Sequence, residues 1–344
     1  MLLKLVPDQT NVPFTKWRFI AAIFSAFLIV GSVISLATLG LNFGVDFKGG
    51  VTIEVSDTDP IDVEAVKTRV NELGLGEIRV QETRNQDNSA TGIVVYIEQQ
   101  AASEAPAPSG EPVDEANDDG SANDADSKAA EQAQQTASEA VQAVLKEMLG
   151  EGYTVLKTDV VGPAVSGELV QKGITAVILA IGMMLIYIWF RFEWQFSMGA
   201  ILALVHDVII TLGMFAVTQL EFSLAIIAAI LTIVGYSMND TVVVYDRVRE
   251  NLRKFKKKPL IDLVDLSIND TLSRTVMTSV TTLLALISLY ILGGAALRGF
   301  TFAMIFGVII GTYSSVFVAA PALLATGVKR DWSKQPTGDA PSAA

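Results

Sequence analysis

The chain has no cysteine and a single histidine in 344 residues. Without thiols, disulfides, thiolate metal sites and cysteine nucleophiles are excluded. One histidine leaves a zinc site dependent on carboxylates at ligand spacing, and no such spacing occurs. Charge is scarce too: 18% of residues are Asp, Glu, Lys or Arg, with a formal net charge of -12. That balance argues against a nucleic-acid partner, because phosphates call for clustered Lys and Arg along one face. The one basic cluster, Arg247 to Lys258, sits beside an apolar run. A Walker-type phosphate loop is missing, so direct use of ATP is not expected. Neither a nucleophile–base pairing nor a cofactor fingerprint appears at recognisable spacing, so no enzyme class and no cofactor are expected.

What is abundant is apolar surface. Hydrophobic residues make up 51% of the chain, far too many for a soluble domain. Crossing about 30 Å of hydrocarbon takes roughly 20 apolar residues, and six stretches qualify: Phe19 to Leu39, Val170 to Phe190, Met198 to Val217, Phe222 to Tyr245, Thr275 to Gly294 and Phe300 to Ala325. The first exceeds a signal-peptide core of about 7 to 15 residues and lacks a cleavage pattern after it, so it reads as an uncleaved anchor. Lys4, Lys16 and Arg18 precede this first span, Arg191 follows the second, Arg247 through Lys258 the fourth, and Lys329, Arg330 and Lys334 the sixth. The opposite loops carry only Glu221 and Arg298. By the positive-inside rule both termini (1–18 and 327–344) are expected in the cytoplasm and residues 40–168 outside.

The fold class expected is therefore a polytopic α-helical membrane protein. It has a six-helix transmembrane bundle and one α+β ferredoxin-like extracytoplasmic domain between helices 1 and 2. In that domain Val51 to Val55 alternates as a strand, Ile61 to Leu73 is helical after Asp59-Pro60, and Ile78 to Thr83 and Ile93 to Glu98 are strands. Ala129 to Leu149 is helical and Tyr153 to Val161 alternates again. The order β-α-β-β-α-β is that of a split ferredoxin-like unit. About 99–128 is an acidic, Ala- and Ser-rich insertion with too few large apolar side chains to offset chain entropy, so disorder is expected there.

Residues 170–326 hold helices 2 to 6, with Gly182, Gly199, Gly213, Gly235, Gly307 and Gly311 inside the spans, where small residues let helices approach closely. Within the cytoplasmic stretch 247–272, Pro259 to Leu272 has apolar residues among Asp262, Asp265 and Asn269. It is expected to lie on the membrane interface as an amphipathic helix.

Ionisable groups inside a span cost about 2.5 to 3.5 kcal/mol on insertion scales. His206 and Asp207 fall near the middle of the third span, Asp240 lies in the fourth beside Asn239, and Arg274 opens the fifth. A desolvated carboxyl can titrate near neutral pH, as proton coupling requires; alternatively His206 and Asp207 hydrogen-bond neighbouring helices and fix their packing. Gly235, Tyr236, Ser237, Asn239, Asp240 and Thr241 form a polar patch of the kind that lines water paths or interhelical contacts. Arg274 by position alone is an interfacial anchor. Asp246, Arg247, Arg249 and Glu250 read as interfacial charges.

Five segments carry a resemblance. They are Gly44 to Gly50 (GVDFKGG), Val161 to Gly167 (VGPAVSG), His206 to Val208 (HDV), Val234 to Asn251 (VGYSMNDTVVVYDRVREN) and Ser273 to Thr275 (SRT). With these the chain resembles the SecD/SecF family of protein-export membrane proteins, and through it the resistance-nodulation-division superfamily. Six spans and one short external domain place the resemblance on the SecF side. The resemblance implies a partner, SecD, that supplies the other half of a twelve-helix unit in the bacterial inner membrane. That unit works with the SecYEG translocon on translocating unfolded polypeptides, using the proton-motive force, with protons as coupling ion. It assigns Asp240 and Arg274 to the proton relay, with an aspartate of SecD. His206, Asp207 and Asn239 are relay or packing residues, and Asp46, Phe47, Gly49, Gly50 and Gly235 belong to structural motifs. Protonation of Asp240 would weaken its attraction to Arg274 or to a partner and shift the bundle between two packings that move the external domain. A proton-driven exporter of small molecules or lipids, and a non-transporting membrane assembly factor, are the alternatives.

Overall fold

A computed structural model describes residues 7, 10–57, 59–76, 78–84, 91–98, 121–150 and 152–328. Most of the expected disordered insertion (99–120) and the tail from 329 lie outside these residues. In chain order the elements are α1 (Arg18–Thr38), α2 (Val45–Lys48), β1 (Gly50–Asp57), α3 (Val63–Asn71), β2 (Ile78–Arg84), β3 (Thr91–Ile97), α4 (Ser121–Leu149) and β4 (Thr154–Val161). There follow α5 (Pro163–Arg191), α6 (Trp194–Thr218), α7 (Leu224–Lys254), α8 (Leu260–Leu292), α9 (Ala295–Ser314), a π-helical turn (Ser315–Ala319) and α10 (Ala320–Thr326). Helix α4 starts at Ser121, inside the stretch expected to be disordered.

The head domain is a four-stranded antiparallel sheet of order β2-β3-β1-β4, the ferredoxin-like topology expected. Period-two alternation sends Val51, Ile53 and Val55 to one face, with Ile93, Val95 and Ile97 beside them. There α3 lays down Val66 and Val70, and α4 lays down Val141 and Leu145, to close a dry core. Each such side chain, fully buried, contributes roughly 1.5–3 kcal/mol. The start of α3 is fixed by Asp62, whose carboxylate accepts from the Glu64 and Ala65 amides at 3.1 Å, a cap worth about 1 kcal/mol. The other sheet face turns toward the bundle.

Among the described residues six helical stretches are long and apolar enough to cross a membrane: Phe14–Thr38, Val165–Arg191, Trp194–Thr218, Leu224–Lys254, Leu260–Leu292 and Leu297–Thr326. Lipid offers no hydrophobic drive for helices to associate, so contact depends on close packing. A methyl added at Gly307 would run into Ile233, one at Gly213 into Ser32, one at Gly199 into the Tyr245 hydroxyl and one at Gly311 into Ser237. Gly182 and Gly235 meet nothing within 4 Å, so they are not packing glycines in this chain.

The expected interfacial helix is corrected. Residues 260–272 are the first part of α8, continuous with the fifth span. Leu263, Val264 and Ile268 are buried in the core that α7 contributes to. Two of the three polar residues face protein as well: Asp265 accepts from the Thr15 amide at 2.8 Å and hydroxyl at 2.7 Å, and Asn269 bonds both backbone groups of Val12 at 2.9 Å, while Asp262 is exposed. The neighbouring charges are paired likewise, Arg191 with Asp246 at 2.9 Å and Arg247 with Asp270 at 2.8 Å.

Candidate functional site

Among the described residues one carboxylate lies in the core of the bundle and one at its edge, and consecutive residues of the last span reach them. Ser314 donates to Asp207 Oδ2 at 2.7 Å, and Ser315 donates to Asp240 Oδ2 at 2.5 Å. Successive side chains on an α-helix point about 100° apart, so the sixth span wedges between two separate centres. Ser315 opens the π-helical turn, and the Ala319 carbonyl at its end accepts from the Tyr245 hydroxyl at 2.9 Å. Pro321, without an N–H, follows at once, and such turns recur where a helix is interrupted at functional sites.

The first centre is closed. Asp207 on α6 is fully buried. Besides Ser314 it accepts from Ser237 Oγ of α7 at 2.5 Å, and its Oδ1 lies 2.9 Å from His206 Nδ1. His206 Nε2 lies 3.1 Å from Ser25 Oγ of α1, which is 3.0 Å from the Tyr313 hydroxyl. Tyr313 in turn donates to the Ala21 carbonyl at 2.9 Å. This chain of contacts ties α1, α6, α7 and α9 together.

The second centre is at the bundle's edge. Asp240 on α7 is half-buried and accepts from Thr275 Oγ1 at 2.6 Å as well as from Ser315. It has no cation within ion-pair range among the described residues. The expected pairing of Asp240 with Arg274 is not formed: Thr275, the next residue along α8, points at Asp240, while Arg274 is exposed on an outward stripe with Met277, Thr281 and Leu284. Asn239 and Gly235 are likewise exposed, on the outer side of α7. The bundle thus presents to its surroundings an outer stripe bearing a guanidinium that no carboxylate among the described residues neutralises, which costs free energy in lipid unless a partner covers it.

A third cluster joins head and bundle. The segment Gly44–Gly50 makes one short turn, α2, and leaves it through Gly49 (φ 72°) and Gly50 (φ 117°), conformations that a Cβ disfavours. Asp46 accepts from the Leu224 amide at 2.8 Å, placing an anion at the positive end of α7. Phe47 packs with Phe43 and Phe222, and Phe43 pairs with Phe222 as an isolated bridge.

Over this joint, the polar sheet face brings Glu54, Tyr96, Lys157 and Asp159 toward Glu221 of the α6–α7 loop. The Tyr96 hydroxyl donates to Glu221 at 3.4 Å, and Lys157 pairs with Asp159. Burial pushes the Glu221 carboxyl above its ordinary value, Lys157 and the Tyr96 bond oppose this, and Asp159 and Asp46 add to it. Burial also raises Glu54, against Arg298 and Lys157 and with Glu221 and Asp159. It raises Tyr96, with Glu221 adding.

The reading of residues missed Thr275, Ser314 and Ser315, although a Ser-Ser pair inside an apolar run is itself a signal. It singled out Asp46, Phe47, Gly49 and Gly50 but missed their partners in the joint, Phe222, Glu221 and the sheet residues Glu54, Tyr96 and Lys157, which are far away in sequence.

Two family models match the chain: "Protein export membrane protein SecD/SecF, C-terminal" over residues 140–329 and "SecD/SecF GG Motif" over residues 34–56. The protein translocase subunit SecF of Cereibacter sphaeroides is 42% identical over 343 residues, covering 97% of this chain and 95% of that one. The protein translocase subunit SecDF of Brucella abortus is 40% identical, covering 95% of this chain and 39% of that one. Among solved structures, a Thermus SecDF described as a translocon-associated membrane protein superposes with a TM-score of 0.74 at 32% identity. The alignment takes in 94% of this chain, which spans 39% of the length of that one.

Proposed function

The chain belongs to the SecD/SecF family of protein-export membrane proteins, in its SecF branch, and on that premise we propose that with SecD it uses the proton-motive force to help polypeptides through SecYEG. As a multi-pass protein of the bacterial inner membrane it has both termini in the cytoplasm and its head in the periplasm. Lys16, Arg18 and the 247–258 cluster support that orientation, since all lie at the end of the bundle away from the head.

The observation that carries the proposal is the environment of Asp240. It is held by two hydroxyls and no cation among the described residues, at the edge of an outward face that bears Arg274. A hydroxyl can reorient to serve either the ionised or the protonated carboxyl, so this cradle tolerates both forms. The SecD half covers the outward face and supplies the carboxylate that Arg274 lacks here. Proton uptake by Asp240 then changes the charge balance across the seam and favours one of two packings of the halves. A potential of 100 mV supplies about 2.3 kcal/mol for each charge carried across, so a few protons suffice to move a domain.

Motion reaches the head through α7, whose first amide is held by Asp46 beside β1. The test is an Asp240→Asn chain co-expressed with SecD. It should insert and co-purify with SecD while gradient-dependent translocation into inverted vesicles falls at least about tenfold, the equivalent of about 1.4 kcal/mol. Export unchanged from wild type would refute the mechanism.

A further inference from the structure

At the end of the bundle away from the head, a cavity of about 770 Å³ opens between α1, α6, the start of α8 and α10. Its floor is made by small side chains, Ala22 and Ala26 on one side and Ala322 and Ala325 on the other. Replacing large residues by alanine on facing helices leaves a groove that the lipid side can enter, and the exposed Phe19 and Leu202 border it. On α1 the lining runs from Arg18 to Ile29. At 1.5 Å per residue those 11 steps cover roughly 16 Å, about half of the ~30 Å hydrocarbon layer. The groove therefore has the depth of one leaflet.

Its two ends differ in chemistry. Toward its deep end the groove passes His206 and Ser25, which are bonded to each other, and ends at Ile29. The shallow end is cationic: Arg18 lines it, with no carboxylate paired to it among the described residues, and its guanidinium lies 4.7 Å from the Phe19 ring centre. Leu260 and Ile261 form the opposite lip, directly after the basic run Lys256, Lys257 and Lys258. Exposed Trp17 sits at the same level, where aromatic rings favour the headgroup layer. A cation at headgroup depth above an apolar slot one leaflet deep is complementary to a phosphodiester carrying an acyl chain.

We propose that this groove is a binding site for an anionic glycerophospholipid, its phosphate held by Arg18 and one acyl chain lying over Ser25 and His206. The bound chain keeps water from the His206–Asp207 centre from that side.

The experiment is native mass spectrometry of the complex with SecD, purified in detergent and supplied in separate runs with phosphatidylglycerol and with phosphatidylcholine of identical chains. Retention of phosphatidylglycerol over phosphatidylcholine is expected. Arg18→Gln should lower the retained fraction about fivefold, the factor for one basic residue at an anionic surface. Ala26→Trp, which fills the slot, should remove the lipid with Arg18 intact. SecD co-purification and an unchanged melting profile verify that each variant is folded. Equal retention of both lipids, insensitivity to Arg18→Gln, or no retained lipid because a partner helix occupies the groove would each overturn the proposal.

Discussion

Asp207 and Asp240 are the same functional group in neighbouring helices of one bundle, yet their surroundings assign them different work. Asp207 is sealed in the core with Ser237, Ser314 and His206 converging on it, and the contacts extend through Ser25 to Tyr313 and α1. Asp240 has two hydroxyl donors and stands beside an outer face with an exposed arginine. Hydroxyls serve both carboxylates, so the donors do not tell them apart; burial and the open flank do. On the proposed reading, the sealed carboxylate holds helices in register, and the one at the open flank can change its proton and its neighbour.

The widest contrast should come from breaking each centre in turn. Asp207→Leu leaves Ser237 Oγ and His206 Nδ1 without their partner, each costing about 1–3 kcal/mol, while Ser314 keeps the Gly311 carbonyl. A total loss on the order of 3 kcal/mol should appear as a clearly lower thermal midpoint in detergent, and Asp207→Asn, which keeps an acceptor oxygen, should recover part of it. Asp240→Asn should leave the midpoint nearly unchanged. If Asp207→Leu melted like wild type, the assignment of Asp207 to packing would fail.

A smaller effect sharpens the second half of the comparison. Ser315→Ala removes one of the two donors to Asp240, a bond worth about 1 kcal/mol. Export should fall severalfold without loss of SecD binding, whereas Ser314→Ala, one residue earlier, should reduce the thermal midpoint more than the export rate. Identical phenotypes for the two would erase the distinction that the π-helical turn draws between them.

The smallest effect concerns the joint with the head. The Glu221 carboxyl is raised from 4.5 in the folded protein, first by burial, so the protonated form is favoured in the docked state. Its contribution to docking is fully present below pH 4.5 and is lost as pH rises through the raised value. Distance measurements between labels on head and bundle should accordingly show looser docking on raising the pH through that window, and Glu221→Gln should flatten the response. The same pH slope in the variant would remove Glu221 from the joint.

The six spans were legible because lipid demands long apolar runs, and the head because alternation in Val51 to Val55 and the helical spacing of 61–73 are local signals. The first part of α8 was misread for a physical reason. A polar stripe facing headgroups and one facing Thr15 and Val12 look alike in sequence, and only the tertiary fold shows Asp265 and Asn269 turned inward. Asp240 and Asp207 could be found as costly charges, but their partners could not. Thr275, Ser314 and Ser315 are hydroxyls that satisfy themselves on their own helix in most spans. Arg274 drew attention through its charge, while its neighbour Thr275 makes the contact. The joint of Glu221, Glu54 and Lys157 depends on strand register and on an interhelical loop, neither of which leaves a local trace.

The most direct measurement is difference infrared spectroscopy of the complex with SecD, comparing spectra with and without an imposed proton gradient and using Asp240→Asn to assign the carboxyl C=O band. A band that appears or shifts with the gradient in wild type, and is missing in the variant, is the predicted result. An Asp240 carboxyl locked in one protonation state while export still follows the gradient would contradict the account.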